Sequence, residues 1–413
     1  MEINRSLYPE LRHHLSKKEI TLLIGPRQAG KTTLLKALAQ ELKDGGEHCL
    51  FFNLDIDTDA QHFSSQSRFF ERVNALVGGK KAYIFIDEVQ RIENAGLFLK
   101  GLYDRDLPHK LIATGSGSLE LKEKIAESLV GRKRNFYLPT VSIREFINYK
   151  TEDQYSGQLP QFLATDRIHE DQLLREYLAF GGYPRVVTAE TFEEKRQVLS
   201  EIFQGFIERD IQLLLKLEKS QAFTTLLQLL ANRAGKMINY NDLANLAGLS
   251  TPTLKEYLWY SEKTFITESI TPFFRNKEKE IVKSPQYYFL DAGLRNFLLG
   301  YNQLDRLNED FGFLFQQLIF HLLKDTFRNT AASIHYWRTQ NQAEVDFIVN
   351  KGQSVLPVEV KSNALERPKI NRSFRSFIDH YQPPEAWIIN RNLDTIIQIG
   401  QTKIKFRPWY SLL

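Results

Sequence analysis

The sequence predicts an α/β protein that begins with a parallel β-sheet covered by helices on both faces. Three observations predict this fold class. Apolar segments of strand length alternate with amphipathic segments of helical period between residues 20 and 139. A glycine-bounded loop separates the first strand from a helix, and an acidic pair ends a later apolar strand. A chain of 413 residues, 42% of them hydrophobic, is long enough for two or three domains.

The glycine-bounded loop follows the strand Ile20–Ile24 and precedes a helix that starts at Lys31. Its spacing, G-x-x-x-x-G-K-T, is that of a phosphate-binding loop, in which backbone N–H groups at a helix N-terminus surround a triphosphate. We expect Lys31 to reach the β- and γ-phosphates and the Thr32 hydroxyl to bind Mg²⁺, so the predicted cofactors are ATP and Mg²⁺. A chance match in an ordinary turn is the alternative. The residues predicted to contact the nucleotide are Gly25, Pro26, Arg27, Gln28, Ala29, Gly30, Lys31, Thr32 and Thr33.

The acidic pair Asp87-Glu88 ends the apolar run Tyr83–Ile86. A buried parallel strand can deliver an aspartate to Mg²⁺, through its water shell, and a glutamate to the attacking water. We therefore expect Asp87 to bind the metal together with Thr32, and Glu88 to orient or polarise the water, so that the site is hydrolytic. A strand end that is merely polar is the alternative.

Two further features are candidates for the same site. Thr114 and Ser116 follow the predicted fourth strand, and one of them could sense the γ-phosphate or the water; Ser116 is the catalytic candidate, although Ser116 or Ser118 could instead cap a helix. Arg132 lies in a basic turn before the predicted fifth strand. It is our preferred candidate for an arginine that reaches the γ-phosphate of the same or a neighbouring subunit, and a solvated basic turn is the alternative.

The predicted domains are an ATPase core over residues 1–155, a helical lid or connector over 156–218, a winged helix over 219–284 and a second α/β domain over 285–413. Within the connector, Gly181-Gly182-Tyr183-Pro184 could be a hinge near the nucleotide or a tight helix junction. The winged helix is predicted from three helices with the turn Gly248–Ser250 and a following strand. Its third helix is mixed in charge, so packing within the chain or between subunits is as well supported as DNA binding. The basic residues of its wing are Arg275, Lys277, Lys279 and Lys283.

The last domain carries a second chemical pattern. Side chains alternate along a strand, so Glu359 and Lys361 share one face. If the strand with Asp346 pairs beside it, two carboxylates and a lysine converge, as in metal-assisted hydrolysis of phosphodiesters. The strands and the helix that follows them fit a restriction-endonuclease-like fold. An exposed polar edge is the alternative.

The composition restricts the class of protein further. One cysteine, Cys49, excludes a disulfide within the chain, which fits a reducing compartment. The N-terminal residues have no apolar segment of signal-peptide length, and nowhere do eighteen apolar residues run together, so we expect a cytoplasmic protein without a membrane partner. The net charge of +4 neither requires nor excludes a nucleic acid.

With these motifs the chain resembles a bacterial and archaeal family of AAA+-type P-loop ATPases whose C-terminal half is a domain of unknown function. The resemblance implies an ATPase core, a winged helix and a nuclease-like domain. One position departs from the family pattern: Gln316 stands where a glutamate is usual. The loss of a carboxylate weakens a Mg²⁺ site at Gln316, Asp346, Glu359 and Lys361, so we expect a vestigial site with feeble or no nuclease activity. The resemblance rests on residues 25–35, 85–88, 114–116, 131–132, 181–184, 209–211, 336–338, 344–347 and 358–361.

The expected function is hydrolysis of ATP coupled to binding, moving or remodelling of DNA, including forked or branched DNA. A nucleotide-controlled switch or protein-remodelling module is the competing hypothesis, and an ATP-gated nuclease is the third. RNA is not distinguished from DNA by the sequence. Assembly as a homo-oligomer is left open.

Overall fold

The computed structural model describes residues 3–105, 107–116, 129–206, 220–274, 284–301, 307–339 and 342–413. Five parallel strands form the first sheet, in the order β2-β3-β4-β1-β5. The strands β1 and β3 are buried on both faces, as expected for a parallel sheet that is covered by helices. The strands are Ile20–Ile24 (β1), Cys49–Asn53 (β2), Tyr83–Asp87 (β3), Lys110–Gly115 (β4) and Lys133–Tyr137 (β5).

Helices cover this sheet on both faces and bury separate apolar clusters. One cluster contains Leu34, Leu35 and Leu38 of the helix after β1, and the other is rich in phenylalanine, including Phe63, Phe69 and Phe98. Because all five strands run in the same direction, the loops after β1, β3 and β4 meet at one edge of the sheet. The helices are Tyr8–His14 (α1), Lys31–Asp44 (α2), Asp57–Ala60 (α3), Gln66–Val77 (α4) and Ala95–Asp104 (α5), with 3₁₀ turns at Gln61–Phe63 and Val89–Arg91.

A helical region follows the sheet. Its first helix starts with a capping box, in which the Ser142 hydroxyl accepts from the Glu145 backbone N–H and the Glu145 carboxylate accepts from the Ser142 backbone N–H. The residues Arg209-Asp210-Ile211, at the end of the predicted region, lie outside the described residues. The helices are Ile143–Lys150 (α6), Leu159–Thr165 (α7), Arg167–Phe180 (α8), Pro184–Thr188 (α9) and Phe192–Phe206 (α10).

Three helices and a two-stranded antiparallel sheet come next, in the order that the sequence predicts. The helices are Ser220–Asn232 (α11), Tyr240–Ala247 (α12) and Thr251–Lys263 (α13), and the strands are Thr267–Ile270 (β6) and Gln286–Phe289 (β7). Leu254, Tyr257 and Leu258 of α13 are buried. The boundary predicted at residue 284 falls between the two paired strands. The wing residues Arg275, Lys277, Lys279 and Lys283 lie outside the described residues.

The C-terminal part is a mixed six-stranded sheet in the order β12-β13-β11-β10-β9-β8, packed against a long helix. The pairs β8/β9, β9/β10 and β12/β13 are antiparallel, and β10/β11 and β11/β13 are parallel. The strands are Ser333–Arg338 (β8), Glu344–Asn350 (β9), Val355–Val360 (β10), Glu385–Asn390 (β11), Thr395–Ile399 (β12) and Thr402–Pro408 (β13). The helices are Ala292–Leu298 (α14), Leu307–Phe327 (α15) and Arg372–Tyr381 (α16), followed by the 3₁₀ turn Trp409–Leu412.

Buried polar contacts join the helical region to the C-terminal part. The Glu170 carboxylate of α8, only 1% exposed, accepts hydrogen bonds from Arg391 (2.7 Å) and from Trp409 Nε1 (2.6 Å) of the C-terminal region. The Asp291 carboxylate accepts from the backbone N–H groups of Gly182 (2.8 Å) and Leu294 (3.0 Å). Among the described residues no helix is long and apolar enough to cross a membrane.

Candidate functional site

The glycine-bounded loop connects β1 to α2 at the carboxyl edge of the parallel sheet. Gly30 has φ +92°, a backbone conformation that residues with a side chain rarely adopt. A Cβ on Gly25 would lie 2.1 Å from the Leu138 carbonyl oxygen, so the loop packs against the end of β5 without room for a side chain. The two glycines of the motif are therefore required by the geometry of the loop.

Lys31 begins α2, and its side chain folds over the loop. It is 5% exposed, and its Nζ donates to the carbonyl oxygens of Pro26 (2.8 Å) and Gly25 (3.1 Å). The ammonium group is thus held at the N-terminus of α2, where helix N–H groups and the helix dipole favour an anion. Six of the nine predicted nucleotide contacts line an open cleft at this point: Arg27, Gln28, Gly30, Lys31, Thr32 and Thr33. Gly25, Pro26 and Ala29 are buried.

Thr32 and Asp87 meet at the carboxyl edge, as predicted. The Thr32 hydroxyl donates to Asp87 Oδ2 at 2.7 Å, and the Thr114 hydroxyl donates to Asp87 Oδ1. Asp87 is 2% exposed, so this position is fixed by the surrounding chain. A hydroxyl and a carboxylate are hard oxygen ligands of the kind that Mg²⁺ prefers, and Thr32 directly follows the lysine in the chain. The residues present fit Mg²⁺ together with a nucleotide.

Glu88 follows Asp87 in the left-handed region, with φ 59°, which is uncommon for a residue with a side chain. Its backbone N–H donates to the Thr114 hydroxyl at 3.0 Å, and its side chain faces the cleft. The Glu88 carboxylate also accepts a hydrogen bond from Gln90 Nε2. The Thr114 hydroxyl therefore holds both the Asp87 carboxylate and the Glu88 backbone in place.

Gln90 is a residue that the sequence analysis missed. It is 6% exposed, and its Nε2 also lies 3.3 Å from the Ser116 hydroxyl, so it connects the end of β4 with Glu88. Thr114 and Ser116 both lie beside the acidic pair, and a role of either in sensing the γ-phosphate stays a prediction. The helix that Ser116 or Ser118 would cap lies outside the described residues.

The helical region forms the opposite wall of the cleft, which measures about 710 Å³. Pro184, Arg185 and the end of α10 line it, and Arg185 pairs with Glu201 across 2.8 Å. The preceding glycines form a tight helix junction, since Gly181 has φ +73° and a Cβ on Gly182 would lie 2.0 Å from the Val141 carbonyl oxygen. The predicted junction is thus present beside the cleft, and its action as a hinge stays a prediction.

Arg5 is a second residue that the sequence analysis missed. Its guanidinium donates to the carbonyl oxygens of Ala29 (2.8 Å) and Pro139 (2.6 Å) and to the Glu145 carboxylate (3.2 Å). The side chains of Arg5 and Glu145 are only 7% and 6% exposed. Arg5 therefore ties the phosphate-binding loop to the start of α6.

Replacing Arg5 with alanine should destabilise the loop. The change leaves the buried Glu145 carboxylate without its cation, and breaking a buried pair in this way costs about 3–5 kcal/mol. We expect a lower melting temperature and weaker binding of nucleotide, measured by thermal unfolding and by a fluorescent ATP analogue. Arg12→Ala is the control, because Arg12 pairs with Glu41 but is 67% exposed. Equal effects of the two substitutions would contradict the role of Arg5.

Arg132 lies at the opposite edge of the sheet. Its carbonyl oxygen accepts from the backbone N–H of Ile20 at 2.9 Å, where β1 starts, and its guanidinium pairs with Asp104 across 2.7 Å. The loop begins at the other end of the same strand. Arg132 therefore lies away from the nucleotide loop of its own chain, because a residue before a parallel strand lies at the amino edge. A role towards a neighbouring subunit stays a prediction.

The predicted residues of the second site come together in the C-terminal sheet. Strands β9 and β10 pair, and Gln316 Nε2 of α15 donates to Asp346 Oδ1 at 3.0 Å. Asp346 Oδ2 accepts from the Val360 backbone N–H at 2.7 Å. Glu359 Oε1 accepts from Lys361 Nζ (2.8 Å) and Asn371 Nδ2 (2.6 Å). We call Gln316, Asp346, Glu359 and Lys361 the C-terminal polar centre.

Protein donors satisfy the carboxylates of the C-terminal polar centre. Burial and the nearby Glu359 raise the pKa of Asp346 well above its usual value, and burial raises the pKa of Glu359. Among the described residues, no group of three or more His, Cys, Asp or Glu side chains is arranged to hold a metal ion. The donors present, with an amide in place of a third carboxylate, fit Mg²⁺ poorly.

The raised pKa of Asp346 predicts a pH-dependent effect of Asp346→Asn. The folded chain disfavours the charged carboxylate, so stability is lost as the pH rises above the ordinary value of 3.8. The asparagine variant, which carries no charge, should therefore gain in melting temperature relative to the parent as the pH rises from acid to neutral. Thermal unfolding across this range measures the gain. Asp394→Asn, at an exposed position, is the control, and a gain that is independent of pH would contradict the assignment.

Comparison with known protein families identifies the class of protein to which this chain belongs. Residues 17–147 match the family described as "AAA domain", which defines a P-loop ATPase domain. Residues 171–305 and 311–409 match two families described as domains of unknown function, DUF8612 and DUF4143. The chain is thus an AAA-domain P-loop protein with these two C-terminal domains, and the resemblance expected from its motifs is confirmed.

The similar curated proteins are uncharacterized. The chain is 29% identical over 380 residues to an uncharacterized protein of Mycobacterium tuberculosis, covering 90% of this chain and 76% of the relative. It is 22% identical over 343 residues to one of Methanocaldococcus jannaschii, with 81% and 73% covered. Among solved structures, Cdc6p of Pyrobaculum aerophilum is similar with a TM-score of 0.30 and 12% identity, covering 75% of this chain and 96% of that one.

Proposed function

We propose that this protein hydrolyses ATP to ADP and phosphate and uses the reaction to bind, move or remodel DNA, including forked or branched DNA. The observation that carries the proposal is the contact between Thr32 and Asp87, at 2.7 Å, with Glu88 facing the same cleft. A site that only bound nucleotide would not need a second carboxylate beside the metal ligands.

The residues of the cleft have separable roles in this proposal. The loop amides and Lys31 would bind the phosphates, and Thr32 and Asp87 would hold Mg²⁺, which would supply neutralisation of the phosphate charge. Glu88 accepts a proton from the attacking water, and Gln90 positions Glu88 through the hydrogen bond between them. Arg185 faces the loop from the helical region and could exchange its partner Glu201 for a phosphate.

The regions that follow the helical region would couple ATP hydrolysis to nucleic acid in this proposal. We interpret α11 to α13 with β6 and β7 as a winged helix, and the C-terminal sheet as a restriction-endonuclease-like domain that is retained as a nucleic-acid clamp. Gln316 donates to Asp346 where a nuclease would need a further carboxylate, so nuclease activity is the least supported function. A DNA cut that depends on Mg²⁺ or Mn²⁺ and disappears in Asp346→Ala would contradict this interpretation.

One observation favours the alternative of a switch that acts on protein partners. Phe265, two residues after the end of α13, packs against Tyr137 of β5 with 5.2 Å between ring centroids. The proposed winged helix is thus in contact with the ATPase sheet, as expected if it serves packing or relays the nucleotide state.

A panel of nucleic acids tests the choice between these functions. We expect single-stranded, duplex, forked or four-way DNA to accelerate ATP turnover by the full chain, measured as phosphate release. RNA of the same sequence belongs in the panel, since the sequence does not distinguish RNA from DNA. Turnover that is indifferent to every nucleic acid would reject coupling to DNA and favour the protein switch.

A further inference from the structure

A strongly basic loop lies beside the C-terminal polar centre. Between residues 361 and 375 the chain has five cations and one carboxylate, Glu366. Arg367, Lys369 and Arg372 are exposed, and no contact with the described residues engages their charged groups. We call residues 361–372 the basic loop. Arg375, which follows the basic loop, is by contrast paired with Asp379 across 3.0 Å.

The backbone of the basic loop is held at three points. Its first residue, Lys361, donates its backbone N–H to the Ile389 carbonyl oxygen at 2.8 Å. In its middle, Leu365 and Asn392 exchange two hydrogen bonds, at 2.7 and 3.1 Å. Near its end, Asn371 caps α16 by accepting from the Phe374 N–H at 2.7 Å. Because the backbone is held in place, less ordering is needed when the cations meet a ligand.

The two ends of the basic loop meet at the C-terminal polar centre. Lys361 Nζ and Asn371 Nδ2 both donate to Glu359 Oε1, at 2.8 and 2.6 Å. From this point an open groove of about 650 Å³ runs along α16, lined by Asn371, Arg372 and Arg375 among others. Arg372 therefore lines a groove that begins beside the C-terminal polar centre, and Arg367 and Lys369 precede it in the chain by five and three residues. The Asp379 carboxylate, which is paired with Arg375, also lines this groove.

We propose that the basic loop binds the phosphate backbone of a nucleic acid and holds it along α16, with Arg367, Lys369 and Arg372 as the contacting cations. This rests on the proposed coupling to nucleic acid and names the surface that performs it. Charge complementarity selects the ligand, because several phosphates at regular spacing match several separate cations better than a single carboxylate does. The contacts are to phosphates and not to bases, so binding should depend little on sequence.

The test removes the three charges from the full chain. The triple variant Arg367→Gln, Lys369→Gln, Arg372→Gln should bind duplex DNA about tenfold or more weakly, and the slope of log affinity against log salt should fall by about 2–3. Binding is measured by fluorescence anisotropy with labelled DNA and RNA across a salt series. Basal ATP turnover and the melting temperature should not change, since these exposed side chains lie outside the nucleotide cleft.

A matched control removes three charges elsewhere. Lys43, Lys80 and Lys81 are exposed residues of the ATPase domain near the amino edge of its sheet, and their change to glutamine should leave binding as it is. Equal losses in both triple variants would overturn the proposal, because a general charge effect would explain them. So would equal competition by polyglutamate, which would point to an acidic protein.

The failure of this inference can be told apart from failure of the proposed function. If the parent chain binds nucleic acid and the basic-loop variant binds equally well, the basic loop is not the contact surface and the proposed function stands. If the parent chain binds neither DNA nor RNA, both are overturned. Tighter binding of RNA than of DNA would support the basic loop and correct the substrate.

Discussion

The variant Lys31→Ala should lose nucleotide binding. The Lys31 ammonium group lies within the loop at the N-terminus of α2, 2.8 Å from the Pro26 carbonyl oxygen, where phosphate oxygens would compete for its protons. Hydrogen bonds to charged groups contribute about 1.5–3 kcal/mol each, so the loss of two predicts binding weaker by roughly 10²–10⁴. Equilibrium binding of a fluorescent ATP analogue with Mg²⁺ measures the change.

Lys36→Ala is the control for this effect. Lys36 is exposed on the same helix, so its removal changes the helix charge without touching the loop. We expect it to bind nucleotide as the parent chain does. Because Lys31 also donates to two loop carbonyls, the melting temperature of both variants should be recorded. Binding by a folded Lys31→Ala variant at the parent's affinity would contradict the assigned role.

The variant Glu88→Gln should bind ATP and fail to hydrolyse it. The amide keeps the size of the side chain and an oxygen that can still accept from Gln90, so the backbone of the acidic pair should be undisturbed. It cannot accept a proton from the water, and loss of a general base typically costs 10²–10⁴ in rate. Phosphate release under single-turnover conditions measures the step.

Glu93→Gln, at an exposed position five residues further along, is the matched control and should turn over ATP normally. The pair Lys31→Ala and Glu88→Gln separates binding from chemistry. Loss of nucleotide binding to the same extent in both variants would mean that Glu88 stabilises the phosphate-binding loop and does not act on the attacking water.

The nucleotide cleft could be predicted because its parts are encoded by short segments. The loop needs glycine at two positions for local reasons, the φ of Gly30 and the close approach of Gly25 to Leu138. Asp87 could be predicted because a buried strand that ends in carboxylates is unusual. Since β3 runs parallel to β1, the end of β3 lies at the same edge of the sheet as the loop. The meeting of Asp346 with Glu359 likewise follows from alternation along two neighbouring strands.

The missed residues act through contacts that no local pattern contains. Arg5 contacts Ala29 and Glu145, which are 24 and 140 residues away along the chain. Gln90 is an amide in a 3₁₀ turn and resembles any polar surface residue until its burial is known. The distance of Arg132 from the loop of its own chain follows from the sequence pattern, because a residue that precedes a parallel strand lies at the amino edge of the sheet.

Titration calorimetry of the parent chain with Mg·ATP tests most directly whether the loop and the acidic pair form one nucleotide site. The geometry of Lys31, Thr32 and Asp87 predicts heat of binding with one nucleotide per chain, weakened when Mg²⁺ is removed. The absence of heat from a folded chain, or binding that Lys31→Ala leaves unchanged, would contradict it.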